Sequence, residues 1–78
     1  KIKSEEGNPN HVGSPLPGQV AKIFVDEGAK VIKGDRVLVI EAMKMETTIN
    51  AEKSGTIKKI HINSGENVET KDLLIEIE

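Results

Sequence analysis

The stretch GQVAKIFV, residues 18–25, returns 37 positions later as GTIKKIHI, residues 55–62. When the chain is shifted by this spacing, residues 12–41 fall on residues 49–78. Eight of the 30 aligned positions are identical: Gly18/Gly55, Lys22/Lys59, Ile23/Ile60, Gly28/Gly65, Val31/Val68, Asp35/Asp72, Ile40/Ile77 and Glu41/Glu78. Because glycine, aspartate and apolar positions keep one register together, we interpret the chain as two copies of one structural unit.

Each copy consists of short apolar stretches, and glycine, asparagine, aspartate or proline interrupts them at intervals of about 8–12 residues. Isoleucine and valine dominate these stretches, and β-branched side chains favour strands. The sequence therefore predicts an all-β fold, a flattened eight-stranded barrel or sandwich with pseudo-two-fold symmetry. The predicted strands lie near residues 12–14, 19–25, 30–32, 37–41, 46–50, 56–62, 67–69 and 73–77.

The apolar spacing inside the second strand of each copy is irregular. Val20 lies three residues before Ile23 instead of two or four, and Ile57 precedes Ile60 by the same step. A strand that keeps both side chains on one face must gain a residue between them. The sequence predicts a bulge, or a crossing between sheets, at the same place in both copies.

Composition limits the functions that this chain can perform. With 78 residues, one aromatic residue and no cysteine, the chain has little interior for a ligand pocket and no thiolate chemistry. The formal net charge of −2 argues against nucleic-acid binding. The longest apolar run, Val37–Ile40, is too short to form a membrane-spanning helix.

Candidate catalytic groups are scattered along the chain. His11 and His61 lie 50 residues apart, and no metal-ligand spacing surrounds either of them. The matched pair Asp35 and Asp72 favours a role in turns. We therefore predict no catalytic residue and no metal site.

The segment between the copies, AMKMETT at residues 42–48, breaks the local rules that the chain obeys elsewhere. A hairpin must turn near Met43 and Lys44, yet this connection contains no glycine, asparagine, aspartate or proline. Exposed methionines on both sides of a lysine suit contact with a partner. Two alternatives remain open, that the lysine is an ordinary surface residue and that the methionines pack on their own strands.

The segment Glu41–Ile49, EAMKMETTI, resembles the biotin-attachment motif of biotin carboxyl carrier domains, whose core is Ala-Met-Lys-Met. The resemblance covers about residues 10–78. It extends to four further segments, SPLPG at 14–18, GTI at 55–57, GENV at 65–68 and DLL at 72–74. It implies a carrier domain at residues 11–78, containing the repeats 12–41 and 49–78, after a linker end or flexible tail at residues 1–10.

This resemblance also implies the site and its partners. Lys44 is expected to carry biotin through an amide bond, and Ala42, Met43 and Met45 are expected to be its neighbours in the attachment motif. A biotin protein ligase would attach the cofactor, and biotin carboxylase and carboxyltransferase domains would use it. The domain would have no catalytic activity of its own and would reside in the cytoplasm or the mitochondrial matrix.

The segment NPNHVGSPLPG, residues 8–18, resembles the start of the carrier domain in pyruvate carboxylases, which convert pyruvate to oxaloacetate. Carriers of acyl-CoA carboxylases or sodium-pumping decarboxylases, and free-standing biotin or lipoyl attachment proteins, remain open. Lipoyl domains usually have Asp-Lys-Ala at the tip, which disfavours lipoate here. A module that docks its tip on a partner without covalent modification is a further alternative.

Overall fold

The computed structural model describes residues 2–78, and these residues form eight β-strands. The strands are β1 (His11–Gly13), β2 (Gly18–Ile23), β3 (Lys30–Val31), β4 (Arg36–Ala42), β5 (Met45–Asn50), β6 (Gly55–Ile60), β7 (Asn67–Val68) and β8 (Leu73–Ile77). Every predicted strand is present, and the predicted ends lie within two residues of the observed ones. The predicted all-β fold is confirmed.

The strands form two antiparallel four-stranded sheets, with orders β1-β8-β6-β3 and β5-β4-β2-β7. The 37-residue shift places β2 on β6 and β3 on β7 with identical bounds, and it aligns β4 with β8 and β5 with β1. The same shift therefore converts one sheet order into the other. Each sheet takes two strands from each copy, which is the predicted pseudo-two-fold symmetry.

Both copies contain the irregularity that the apolar spacing predicts. The register between β2 and β4 shifts between Val20 and Lys22, and the register between β6 and β8 shifts between Ile57 and Lys59. An extra residue in one strand increases its local twist. The bulge thus allows the apolar residues on both sides of it to face the interior between the two sheets.

That interior is filled by aliphatic side chains from both copies. The buried cluster consists of Val12, Val20, Val31, Val37, Leu38, Ile40, Ile49, Ala51, Ile57, Ile62, Val68, Leu74, Ile75 and Ile77. The single aromatic ring, Phe24, lies at the surface with the charged groups of Lys22 and Arg36 at 5.5 and 4.9 Å from its centre. Its counterpart His61 is half-buried, so the position after the second strand is more exposed in the first copy than in the second.

Residues 2–5 contact the second copy ahead of its last strand. Leu73 donates a backbone hydrogen bond to Ile2, and Ser4 donates one to the carbonyl oxygen of Lys71. Lys1 lies outside the described residues. The predicted boundary between a linker end and the carrier domain at residue 10 stays a prediction.

Candidate functional site

The chain turns between β4 and β5 through two residues, Met43 and Lys44. The last strand pair is Ala42 with Met45, and φ is 51° at Met43 and 68° at Lys44. Positive φ at both central residues is the requirement of a type I′ hairpin, a turn that usually contains asparagine and glycine. The hairpin lies where the sequence places it, and two residues that disfavour this conformation form it.

The side chains at this turn project into solvent. Met43 is 96% exposed and Met45 is 73% exposed, so the alternative in which they pack on their own strands is wrong. Lys44 is exposed as well. Within residues 2–78, no hydrogen bond or ion pair holds its ammonium group. The geometry therefore presents a primary amine at an apex that another protein can reach from several directions.

The base of the hairpin is supported by β2. A Cβ atom added to Gly18 would lie 2.6 Å from the carbonyl oxygen of Glu41 and 3.2 Å from the Cβ of Ala42. Only glycine allows this close approach of the two strands, and the small side chain of Ala42 leaves room for it. The motif residues Gly18 and Ala42 thus meet directly beneath the turn. The sequence repeat marks Gly18 through its match with Gly55, but it does not indicate this contact.

Two carboxylates face each other one strand pair below the turn. Glu41 pairs with Glu46 across β4 and β5, and both side chains are exposed. Like charges placed directly opposite each other destabilise a sheet. The apex therefore combines one cation with two anions and two apolar side chains, a surface suited to recognition by another protein.

The histidines lie away from this apex, in and beside the other sheet. His11 is the first residue of β1, and the ring of His61 donates a hydrogen bond of 2.6 Å from Nε2 to Oε2 of Glu76. That hydrogen bond is the main cause that holds the pKa of Glu76 below its ordinary value. Neither histidine forms an acid–base pair with Lys44. Residues 2–78 contain no group of three or more potential ligand side chains arranged to hold a metal ion.

The two ends of the carrier region meet far from the apex. Ile77 donates a backbone hydrogen bond to Asn10, and the amide oxygen of Asn10 accepts one from Lys53. Lys53 follows the end of β5 that is farther from Lys44. The apex and these ends are therefore separated by the length of β5, about 20 Å for six residues. No helix in the described part of the chain has the length and hydropathy needed to cross a membrane.

Known proteins resemble this chain over nearly its whole length. The family model described as "Biotin-requiring enzyme" matches residues 10–77. Pyruvate carboxylase from Bacillus subtilis is 49% identical over 78 residues, which is all of this chain and 7% of that protein. In the crystal structure of a complete multifunctional pyruvate carboxylase from Rhizobium etli, the match has a TM-score of 0.83 and 42% identity, and covers 97% of this chain and 6% of that one.

A second kind of carrier shares the fold. The solution structure of the lipoyl domain of the 2-oxoglutarate dehydrogenase complex from Azotobacter vinelandii matches with a TM-score of 0.75 and 26% identity. This match covers 87% of the chain and 94% of that domain. The chain thus corresponds to nearly a whole carrier domain, but it spans only about a tenth or less of the carboxylases that it matches. It belongs to the family of biotin-requiring enzymes, as a biotinyl carrier domain of the kind found in pyruvate carboxylases and related biotin-dependent carboxylases.

Proposed function

We propose that Lys44 is the biotin-carrying residue of this domain, with the amide bond between its ε-amine and the carboxyl group of biotin. The observation that carries the proposal is the position of Lys44, an exposed amine without a partner in residues 2–78, at the apex of a tight hairpin. Such an amine fits a group that is attached by acylation and must then extend away from the protein. Ala42, Met43 and Met45 are the neighbours that a ligase would contact.

The attachment step needs help from a partner. A lysine ammonium must lose a proton before its nitrogen can attack, and the apex holds no base paired with Lys44. We assign activation to a biotin protein ligase that supplies biotin as its acyl adenylate. The new C–N bond forms as the bond between the acyl carbon and the phosphate oxygen breaks, AMP leaves, two of the three ammonium protons pass to the solvent, and the third stays as the amide N–H. The formal net charge then changes from −2 to −3, because one cation is lost.

The role of the domain itself is to present the attached cofactor to active sites elsewhere. The bound cofactor supplies a ureido nitrogen that can carry a carboxyl group between two reaction centres. The residues of this chain hold the attachment point on a stiff two-stranded hairpin, and their exposure allows it to enter active sites elsewhere. Biotin carboxylase and carboxyltransferase domains would provide these sites, and tethering would keep the carrier at a high effective concentration near both.

The relatives support a proposal for the parent reaction. The support from the pyruvate carboxylases of Bacillus subtilis and Rhizobium etli leads us to propose carboxylation of pyruvate to oxaloacetate, with the domain non-catalytic on its own. The alternatives are a carrier for an acyl-CoA carboxylase or a sodium-pumping decarboxylase, and a free-standing biotin or lipoyl attachment protein. The expected compartment is the cytoplasm or the mitochondrial matrix.

Intact-mass measurement tests the attachment site. Incubation with biotin, ATP and a biotin protein ligase should add the mass of one biotinyl group to the wild-type chain. Lys44→Arg should abolish this gain because arginine keeps the positive charge but cannot form the amide. Lys30→Arg, the same change at another exposed lysine, should keep the full gain.

Three outcomes would contradict the proposal. An unchanged wild-type mass would contradict biotinylation, and a mass gain in Lys44→Arg would place the modification on another residue. The lipoyl fold match supports one rival, so the same variants should be incubated with lipoate, ATP and a lipoate ligase. Lipoylation without biotinylation would identify the domain as a lipoyl carrier.

A further inference from the structure

Residues 2–5, which we call the N-terminal strap, lie antiparallel to residues 71–73. Leu73 N–H donates to the carbonyl oxygen of Ile2 at 2.8 Å, and the carbonyl oxygen of Lys71 accepts from Ser4 N at 2.7 Å and from Ser4 Oγ at 3.0 Å. Between these contacts, the ammonium of Lys3 forms an ion pair with the carboxylate of Asp72, a residue only 2% exposed. The strap is therefore held by hydrogen bonds to the backbone of residues 71–73 and by one ion pair.

The seat of the strap depends on a glycine. A Cβ atom added to Gly13 would lie 2.1 Å from Oγ and 2.8 Å from Cβ of Ser4, whereas its next neighbour, the carbonyl oxygen of Asp72, is at an ordinary 3.8 Å. Gly13 does not have the positive φ that would itself require glycine. The strap alone therefore demands the absence of a side chain at this position.

The symmetry-related place in the barrel, between Asn50 and Gly34, is filled in a different way. The 37-residue shift aligns Gly13 with Asn50 and Lys71 with Gly34. Asn50 Nδ2 donates to the carbonyl oxygen of Gly34 at 2.8 Å, which is the bond that Ser4 makes to Lys71. At Gly34 a side chain of the barrel, Asn50, thus satisfies the carbonyl, whereas at Lys71 the glycine at position 13 leaves room for Ser4 of the strap. This difference indicates that the groove beside Gly13 is shaped to accommodate the strap.

We propose that this groove is a docking surface from which the strap can detach while the barrel stays folded. The strap belongs to neither four-stranded sheet, and it lies at the surface, with Ile2 64% exposed and the Lys3 side chain 55% exposed. When the strap leaves, Asp72 Oδ2 keeps the hydrogen bond that it accepts from Glu69 N–H at 2.8 Å.

The two states would place the start of the domain at different points. With the strap docked, the chain meets the barrel at Ile2, which lines a shallow cavity with His61, Ile62 and Leu73. After release, it leaves from the loop before β1, and four more residues join the tether. At roughly 3.3–3.6 Å per extended residue, the tether gains about 14 Å. The value of a longer tether to a carrier domain rests on the proposed function. The docking and release of the strap do not depend on that function.

Amide hydrogen exchange on the unmodified 78-residue chain, followed by NMR, tests this proposal. The reporters are Leu73, whose N–H bonds to the strap, and Val20, whose N–H bonds to Glu66 within the barrel at 2.8 Å. In the wild type, Leu73 should be protected but should exchange about tenfold or more faster than Val20, because the strap opens locally. Gly13→Ala should speed exchange at Leu73 by about a further tenfold and leave Val20 unchanged.

A second substitution makes the test specific for the strap. Ser4→Gly removes both atoms that would clash with an alanine at position 13, so adding it to Gly13→Ala should return Leu73 to about its wild-type exchange rate. Lys3→Gln should also speed exchange at Leu73 because the ion pair is lost. Lys30→Gln, the same loss of charge on β3, should leave the rate unchanged.

Each other result would overturn the proposal. If Leu73 is unprotected in the wild type, the strap is not docked, and if Leu73 is unaffected by Gly13→Ala, the seat does not hold the strap. If Leu73 and Val20 accelerate together, the barrel opens as one unit and the strap does not detach alone. Because the assay contains no biotin, these results are independent of whether Lys44 is biotinylated.

Discussion

At the scale of single residues, the turn that presents Lys44 is strained. A left-handed conformation costs roughly 1–2 kcal/mol for a residue with an ordinary side chain, and Met43 and Lys44 both adopt it. The sequence could reduce this cost with asparagine and glycine, as most two-residue hairpins do. The presence of methionine and lysine therefore indicates that these two exposed side chains serve a function at this turn, at the expense of its conformational stability.

Replacing Met43 by asparagine should stabilise the domain. Asparagine tolerates positive φ better than methionine does, so the free energy of unfolding should rise by about 0.5–1 kcal/mol. Urea denaturation measures this change. Met45→Asn provides the matched control, because Met45 is also exposed but lies in β5 without positive φ. It should bring no gain, and equal effects of the two substitutions would contradict the strain argument.

At the scale of elements, one carboxylate links three strands. Glu76 in β8 lies opposite His11 in β1 and Lys59 in β6, and it accepts the hydrogen bond from His61, the residue after β6. This bond lowers the pKa of Glu76 from its ordinary 4.5, and the charges of His61, Lys58 and His11 act in the same direction. The side chain of Glu76 thereby connects β8 to the residue that follows β6.

The stability of the domain should depend on pH through Glu76. Below its ordinary pKa of 4.5, the unfolded chain binds a proton at this residue while the folded chain does not. The stabilisation is thus complete above pH 4.5 and is lost as the pH falls through the lower folded value. Glu76→Gln should reduce stability at pH 7 and flatten the decline in the free energy of unfolding between about pH 5 and pH 3.

Urea denaturation across this pH range measures the effect. Glu52→Gln is a suitable control, because Glu52 is exposed and its carboxylate makes no hydrogen bond or ion pair within residues 2–78. It should retain the wild-type pH dependence. A Glu76→Gln variant that loses stability with pH as steeply as the wild type would exclude this role for Glu76.

Prediction from the sequence succeeded where one local pattern determines the structure. Apolar alternation and turn residues located the eight strands, and the step from Val20 to Ile23 located the bulge. The hairpin position followed from the centre of the repeat. The strap was not predicted, because residues 2–5 have no strand pattern. Its position depends on the contact between Gly13 and Ser4, and Ser4 lies outside the sequence repeat. The bond between His61 and Glu76 depends on strand register, which short apolar runs leave undetermined.

At the scale of the whole molecule, the two copies contribute to one core. Each sheet contains two strands from each copy, and the matched pair Ile40 and Ile77 is almost completely buried, at 0% and 1% exposure. A domain of this size has a small core, so each half depends on the other for burial. Stability should therefore be shared evenly between matched positions.

Matched core substitutions test this symmetry. Ile40→Val and Ile77→Val should each lower the free energy of unfolding by about 0.5–1.5 kcal/mol, because each removes one buried methylene group. The two effects should agree within about 0.5 kcal/mol in urea denaturation. Ile32→Val, the same change at a residue 68% exposed, should stay within about 0.5 kcal/mol of the wild type. A loss confined to one copy would contradict an evenly shared core.

The sharing of both sheets between the two copies also affects when the domain becomes complete during synthesis. A chain that has emerged only to Asn50 contains β1 and β3, but the strands that separate them in their sheet, β8 and β6, are still missing. The sheet that contains the hairpin would then lack its opposing layer. Although Lys44 lies near the middle of the chain, its finished surroundings exist only after translation has passed β8. A ligase that recognises the folded hairpin would thus modify complete chains and leave truncated chains unmodified.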